Sequence, residues 1–177
     1  MTGAESLPAW CGPFDVTALG DAIERRLVAI FAEFRLTTKN PDAEPEGEAD
    51  RVSIYQGSIP PRERDAQDGE VAPQFPLVLV KTPRWRDEAG DGGAQKTTVE
   101  VEFAIGVRRL NAEGCRDVTA IAERIRTNLL RDPIIENRAR LELPLESEVG
   151  ESDTFPQWVG LVSARFNIPQ PIEETPT

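Results

Sequence analysis

The 177 residues include no histidine. That absence removes Ser-His-Asp triads, Cys-His dyads and His-based metal sites, along with the usual general base near neutral pH. Cysteine is nearly as scarce. Cys11 and Cys115 stand far apart and form no CxxC pair, so two reduced thiols of a cytosolic protein are expected. No stretch approaches the ~18 apolar residues that cross a bilayer. Residues 1–10 lack the basic and apolar regions of a signal peptide. Positive charge is also in deficit: 20 Lys and Arg face 31 Asp and Glu, a net charge of -11. Nucleic-acid binders carry basic patches that replace phosphate counterions, and anionic membranes ask for the same. Acidity of this size favours solubility and repels DNA.

What is present is ordinary for a globular chain: 39% hydrophobic and 29% charged residues. A domain of this length buries roughly 70% of its unfolded surface, enough for a core without cross-links. Fifteen Pro and 13 Gly predict several irregular connections.

Apolar residues recur every three or four positions over 16–34 (Val16, Leu19, Ile23, Leu27, Ile30, Phe31, Phe34), which predicts an amphipathic helix. Asp15 is its expected N-cap, with Phe14 and Leu19 at hydrophobic-staple spacing. Residues 37–50 are too polar to bury a core and read as a loop. A strand is expected over 51–59, stopped by Pro60-Pro61, then a second charged loop over 62–74. The run FPLVLVK at 75–81 is apolar on both faces, the pattern of a strand covered on both sides, one cover being open to another subunit. A third loop is expected over 84–96.

Residues 97–110 alternate most clearly. Val99, Val101, Phe103, Ile105 and Val107 face one way, and Glu100, Glu102, Ala104, Gly106 and Arg108 the other. Ala104 and Gly106 leave room for a close approach to the backbone. A second amphipathic helix is expected over 117–130, capped by Asp117 and ended by Asp132-Pro133. Residues 134–138 read as a turn. Residues 141–149, interrupted by Pro144, read as an edge strand, and 157–168 as the last strand. Residues 169–177 form an acidic, Pro-rich tail. One domain over 1–177, with its core within 14–170, is therefore expected. Its class is α+β: two helices on one face of a mostly antiparallel sheet of about five strands, in the order α-β-β-β-α-β-β.

Candidate chemistry is sparse. The acids of 42–50 lack the calcium-loop spacing and fit a solvated loop. Gly90, Gly92 and Gly93 lack phosphate-loop spacing. Arg62 and Arg64 lie between acids in a loop. Glu100 and Glu102 point the same way, about 7 Å apart along a strand. Such a pair can perform acid-base chemistry, and more often marks the wet face of a sheet. Arg84 and Arg86 flank Trp85, a composition typical of interface anchors. Trp158 reads as core or subunit-facing. No cofactor, metal or membrane partner is expected.

Three stretches carry a resemblance: FPLVLVKTP at 75–83, GCRDVTAIAERIRTNLLRDPIIENRARLELPLE at 114–146, and FPQWVGLVSARFNIPQP at 155–171. An amphipathic helix ends in an Asp-Pro turn, a strand follows, and an aromatic-Pro-x-Trp segment leads the last strand to a Pro-Gln-Pro exit. Over about 52–171 the chain resembles the tail terminator (tail completion) proteins of long-tailed bacteriophages. The resemblance implies a non-enzymatic virion protein at the head-tail junction, assembled in the bacterial host cytoplasm. It implies a hexameric ring that caps the tail tube, stops its polymerisation and meets the head-tail connector. Genomic DNA would pass through the lumen without specific binding, with acids such as Glu100 and Glu102 lining it. Alternatives from the residues are another neck or head-completion connector, a carboxylate-dependent metal enzyme built on Glu100 and Glu102, and a regulatory binding module.

Overall fold

A computed structural model describes residues 14–36, 51–59, 75–89, 95–110, 112–150 and 156–170. The elements are α1 (Val16–Phe31), β1 (Ser53–Gln56), β2 (Leu77–Ala89), β3 (Gln95–Arg108), α2 (Glu113–Arg131), β4 (Ile134–Ile135), β5 (Ala139–Val149) and β6 (Gln157–Gln170). The fold is α+β. Six strands form one sheet in the order β1-β2-β3-β6-β5-β4, in place of the five expected. β1 runs parallel to β2, and every other pairing is antiparallel.

Both helices lie on one face of the sheet. Leu19, Ile23 and Leu27 of α1 and Val118, Ile121 and Ile125 of α2 share one core with Val101, Phe103, Val162 and Phe166. Phe103 and Phe166 are completely buried, and each contributes roughly 1.5–3 kcal/mol by leaving water. Asp15 caps α1 as expected, accepting from the Ala18 amide at 2.8 Å. The helix ends at Phe31 rather than at 34. Phe34 then folds back in a turn and packs edge-on to Phe31 at 5.3 Å, so the apolar stripe outlasts the helix.

Several boundaries differ from expectation for physical reasons. The loop expected over 84–96 is largely strand. Asp87 accepts from Thr97 Oγ1 at 2.6 Å, and Lys96 lies opposite Glu88, so cross-strand pairs extend the β2–β3 hairpin through residues of low strand propensity. Asp117 does not cap α2. The helix begins at Glu113, a turn earlier, and Asp117 is buried within it. The expected turn at 134–138 contains the short β4 and a tight turn. Glu136 and Asn137 take positive φ values of 47° and 55°, and the Arg138 amide donates to Ile135 O at 2.9 Å. The expected loops 37–50 and 62–74 and the end of the tail, 171–177, lie outside the described residues, as does Cys11. Cys115 is free.

The second face of FPLVLVK is covered within the single chain. Leu77 and Leu79 are 3% and 6% exposed. Phe75 lies over Gly106, where an added Cβ would stand 3.0 Å from the ring, so Phe75 is the group that approaches the backbone at this small-residue site.

Candidate functional site

The sheet face opposite the helices is apolar and covered at Leu77 and Leu79, in register with Gly106 and Ala104, and polar and open beyond them. Strand register sorts its side chains into rows that cross the sheet. One row reads Arg84, Glu100, Arg165, Glu142, from β2 through β3 and β6 to β5. The next reads Lys81, Glu102, Ser163, Glu146. Between these rows both outer strands lose regular register, at Lys81/Arg84 and at Glu142/Glu146. A shallow groove of about 340 Å³ opens there, bordered by Glu100, Glu102, Pro144, Glu146 and Arg165.

Contacts across this face are long and solvent-facing. Arg84 reaches Glu100 at 3.9 Å and Arg86 reaches Glu88 at 3.3 Å, with the arginine side chains 76% and 77% exposed. Lys96 stands 3.9 Å from both Glu88 and Glu142. Asn167 donates to Glu142. Exposed pairs of this type contribute roughly 0–1 kcal/mol each, so the face is not organised for stability. Nor is it uniformly acidic. Glu88, Glu100, Glu102, Glu142, Glu146 and Glu148 share it with Lys81, Arg84, Arg86, Lys96, Arg140 and Arg165.

The excess of acid lies elsewhere. Of the 31 Asp and Glu, 16 fall among the described residues and 15 outside them; of the 20 Lys and Arg, 17 and 3. The described framework is thus nearly neutral, at +1, and the remaining segments carry -12.

Of the residues singled out from sequence, Arg84, Arg86, Glu100 and Glu102 share the open face. Trp85 points to the opposite side, in register with Val99, and is 56% exposed. Trp158 is remote from all of them, near the far end of β6. Its indole packs against the core and donates to Arg109 O at 3.2 Å. Gly114 permits this: a Cβ there would lie 2.1 Å from the ring. The same corner holds an ion pair between Arg109 Nε and Asp117 Oδ2 at 2.7 Å, with side chains 7% and 4% exposed. The Arg109 amide donates to Pro156 O at 2.9 Å, tying the start of β6 to the end of β3.

The helix layer has its own polar device. Arg26 of α1 donates to Asn128 Oδ1 at 2.7 Å, Asn128 O at 3.0 Å and Asp132 O at 2.7 Å, occupying the carbonyl end of α2. Arg124 of α2 donates in turn to Ile30 O in the last turn of α1, at 3.2 and 3.3 Å, and lies over the Phe34 ring. Each helix therefore places a cation at the negative end of the other's dipole. Burial lowers the Arg26 pKa from its ordinary value, partly offset by Asp132, whereas the hydrogen bond to Glu136 raises that of Arg25.

Lys81, Arg165, Glu142 and Glu146 were not expected as site residues. The even spacing of Glu142, Glu146 and Glu148 put them on one strand face, and only the neighbouring strands show what they stand beside. Among the described residues, no group of three or more His, Cys, Asp or Glu side chains is arranged to hold a metal ion. No helix among them is long and apolar enough to cross a membrane.

No protein-family model matches the chain, and no curated protein matches it significantly. Among solved structures, the chain is similar to one titled "Virion of native gene transfer agent (GTA) particle". The TM-score is 0.38 and the identity 10%, over 81% of this chain and 84% of that one.

Proposed function

We propose that this protein is a virion structural subunit that acts as a tail terminator. In this role it forms a homohexameric ring on the last ring of the tail tube, stops tube growth and meets the head-tail connector at the neck. The observation that carries the reading is the contrast between the two sides of one sheet. A single layer of helices closes one side, and the other, beyond the buried Leu77 and Leu79, is an open, charge-balanced surface with weak internal contacts. The resemblance of 75–83, 114–146 and 155–171 to the terminator family supplies the specific role.

In such a ring the open face lines the lumen, and Glu100 and Glu102 point into it. Lys81, Arg84 and Arg165 share that face, so the sheet offers passing DNA a surface of mixed sign rather than an acidic wall. Net repulsion of DNA then comes from the charge of the chain as a whole, -11. This role needs no catalytic set. Each acid of the Glu100–Glu102 pair has a cation opposite it on β2, which fits a structural surface better than a metal-dependent hydrolase.

The test is the mass of the purified protein by light scattering, alone and with tail-tube protein. A hexamer, or a monomer that becomes a ring on tube ends and halts their growth, is the expected result. A protein that stays monomeric and ignores tubes overturns the reading. A ring that binds only connector protein moves the assignment to a neighbouring neck component.

A further inference from the structure

The edge of the sheet along β2 changes character part-way. β1 occupies its first part, pairing with Leu77–Val80, and the Gly57 amide makes the last contact there, donating to Val80 O at 2.9 Å. Lys81, Pro83 and the irregular register between Lys81 and Arg84 follow. Lysine, proline and bulges are the devices that guard an edge against further pairing. Beyond Arg84 the guards stop. Arg84 to Ala89 run in unbroken register with Glu100 to Gln95 of β3, and no described residue pairs with their outer side.

The two faces of this stretch call for different neighbours. On the helix side one row crosses the sheet as Trp85, Val99, Phe166, Leu141. Val99 and Phe166 are fully buried and Leu141 nearly so, whereas Trp85 is 56% exposed. A row of the core thus ends on an uncovered indole. On the open side the row through Arg84 alternates in sign as Arg84, Glu100, Arg165, Glu142, and an acid beside Arg84 extends that alternation. Arg86 repeats the positive charge two residues on, and both arginine side chains remain more than three-quarters exposed.

A strand added to this edge places its side chains on the same two faces alternately. The neighbour that satisfies both faces has acid, apolar and acid in succession, opposite Arg84, Trp85 and Arg86. That order reads the same in either direction, so it suits a parallel or an antiparallel strand. Trp and Arg are the side chains that most often anchor an interface. Main-chain pairing to an open edge supplies affinity that so short a segment otherwise lacks. A single extended segment fits where a second sheet does not, because β1 continues the line of the edge before Lys81.

We propose that the Arg84–Ala89 edge of β2 is a docking site for an extended acidic segment of another protein. The segment is taken up as an added strand, with acids on Arg84 and Arg86 and an apolar side chain on Trp85. This site does not depend on whether the chain forms a ring.

The probe is a fluorescein-labelled peptide of about eight residues in which glutamate alternates with valine. It is titrated into the full chain and read by anisotropy. Saturable binding is expected, weakened roughly tenfold by Trp85→Ala and at least as much by Arg84→Glu with Arg86→Glu. The same peptide with lysine for glutamate, or with N-methylated amides that cannot pair, is expected to lose binding to a similar degree. No binding by the unaltered chain at millimolar peptide overturns the assignment. So does equal binding by the variants or by either altered peptide. Duplex DNA that binds through Arg84 and Arg86 while the peptide does not bind makes the edge a phosphate surface and likewise overturns it. A monomer that ignores tubes yet binds the peptide refutes the ring and keeps the docking site.

A second measurement needs no variant. Hydrogen exchange of the unaltered chain is expected to slow at 84–89 when the peptide is added, and to stay unchanged along the other long edge, 142–149. Slowing at 142–149 in place of 84–89 sinks the assignment.

Discussion

The two faces of this sheet are built from the same strands and obey different rules. On the helix side Val99, Val101, Phe103 and Phe166 are fully buried, and the polar groups that join them are short, specific contacts such as Arg109–Asp117 and Arg26–Asn128. On the open side most charged contacts span 3.3 to 3.9 Å between groups that remain in water. A buried pair is costly to break because the stranded charge cannot return to solvent. An exposed pair loses little, because water replaces the partner. The helix side therefore holds most of the fold, with Leu77 and Leu79 buried at one end of the other face, and the charged rows of that face are left available for contacts with other molecules.

Breaking the closed side is expected to have the largest effect. Asp117→Ala strips Arg109 of its carboxylate partner inside the β3–α2 corner and should cost about 3–5 kcal/mol in urea unfolding. A loss under ~1 kcal/mol would mean that Arg109 escapes to solvent and that the corner is not closed. The arginine caps come next, and they should differ. Arg26→Ala removes donors from three acceptors at the end of α2 and should cost ~1.5–3 kcal/mol. Arg124→Ala removes longer, exposed contacts to Ile30 O and should cost ~0.3–1 kcal/mol. Equal losses would show that the two caps are equivalent despite their different burial. The smallest effect belongs to the open face. Glu102→Gln should leave stability within ~0.5 kcal/mol of the unaltered chain. A larger change would place Glu102 among the residues that hold the fold and erase the distinction between the faces.

The helix side was largely legible in the sequence. The α1 stripe, the Asp15 cap and the alternation from Val99 to Val107 are local patterns, and each formed where its period predicted. Boundaries went astray where a partner distant in sequence set them. The β2–β3 hairpin runs to Ala89 because Asp87 and Glu88 meet Thr97 and Lys96, although 84–96 resembles a loop in isolation. Asp117 resembles a helix cap until Arg109 claims it. Trp158 and Trp85 are the same residue type with opposite placements. Gly114 makes room for the first against the core, and nothing local to the sequence announces that pairing across 44 positions.

The candidate surface was legible only in fragments. Arg84, Glu100 and Glu102 could be named because each lies in a recognisable local pattern. Arg165 and Glu146 could not, because their significance comes from the rows they complete.

By itself the sequence determined the α+β class, the two helical stripes, the buried strand faces and the lack of histidine chemistry. These follow from side-chain period and composition, which act over a few residues at a time. Tertiary structure alone decided that Arg109 claims Asp117 in the β3–α2 corner and that Phe75 closes over Gly106. It also decided that charges alternate across the open face, and that a basic edge and an acidic edge stand at matching height on opposite sides of one sheet. Such features depend on which strands become neighbours, and strand order arises from packing among segments far apart in the chain.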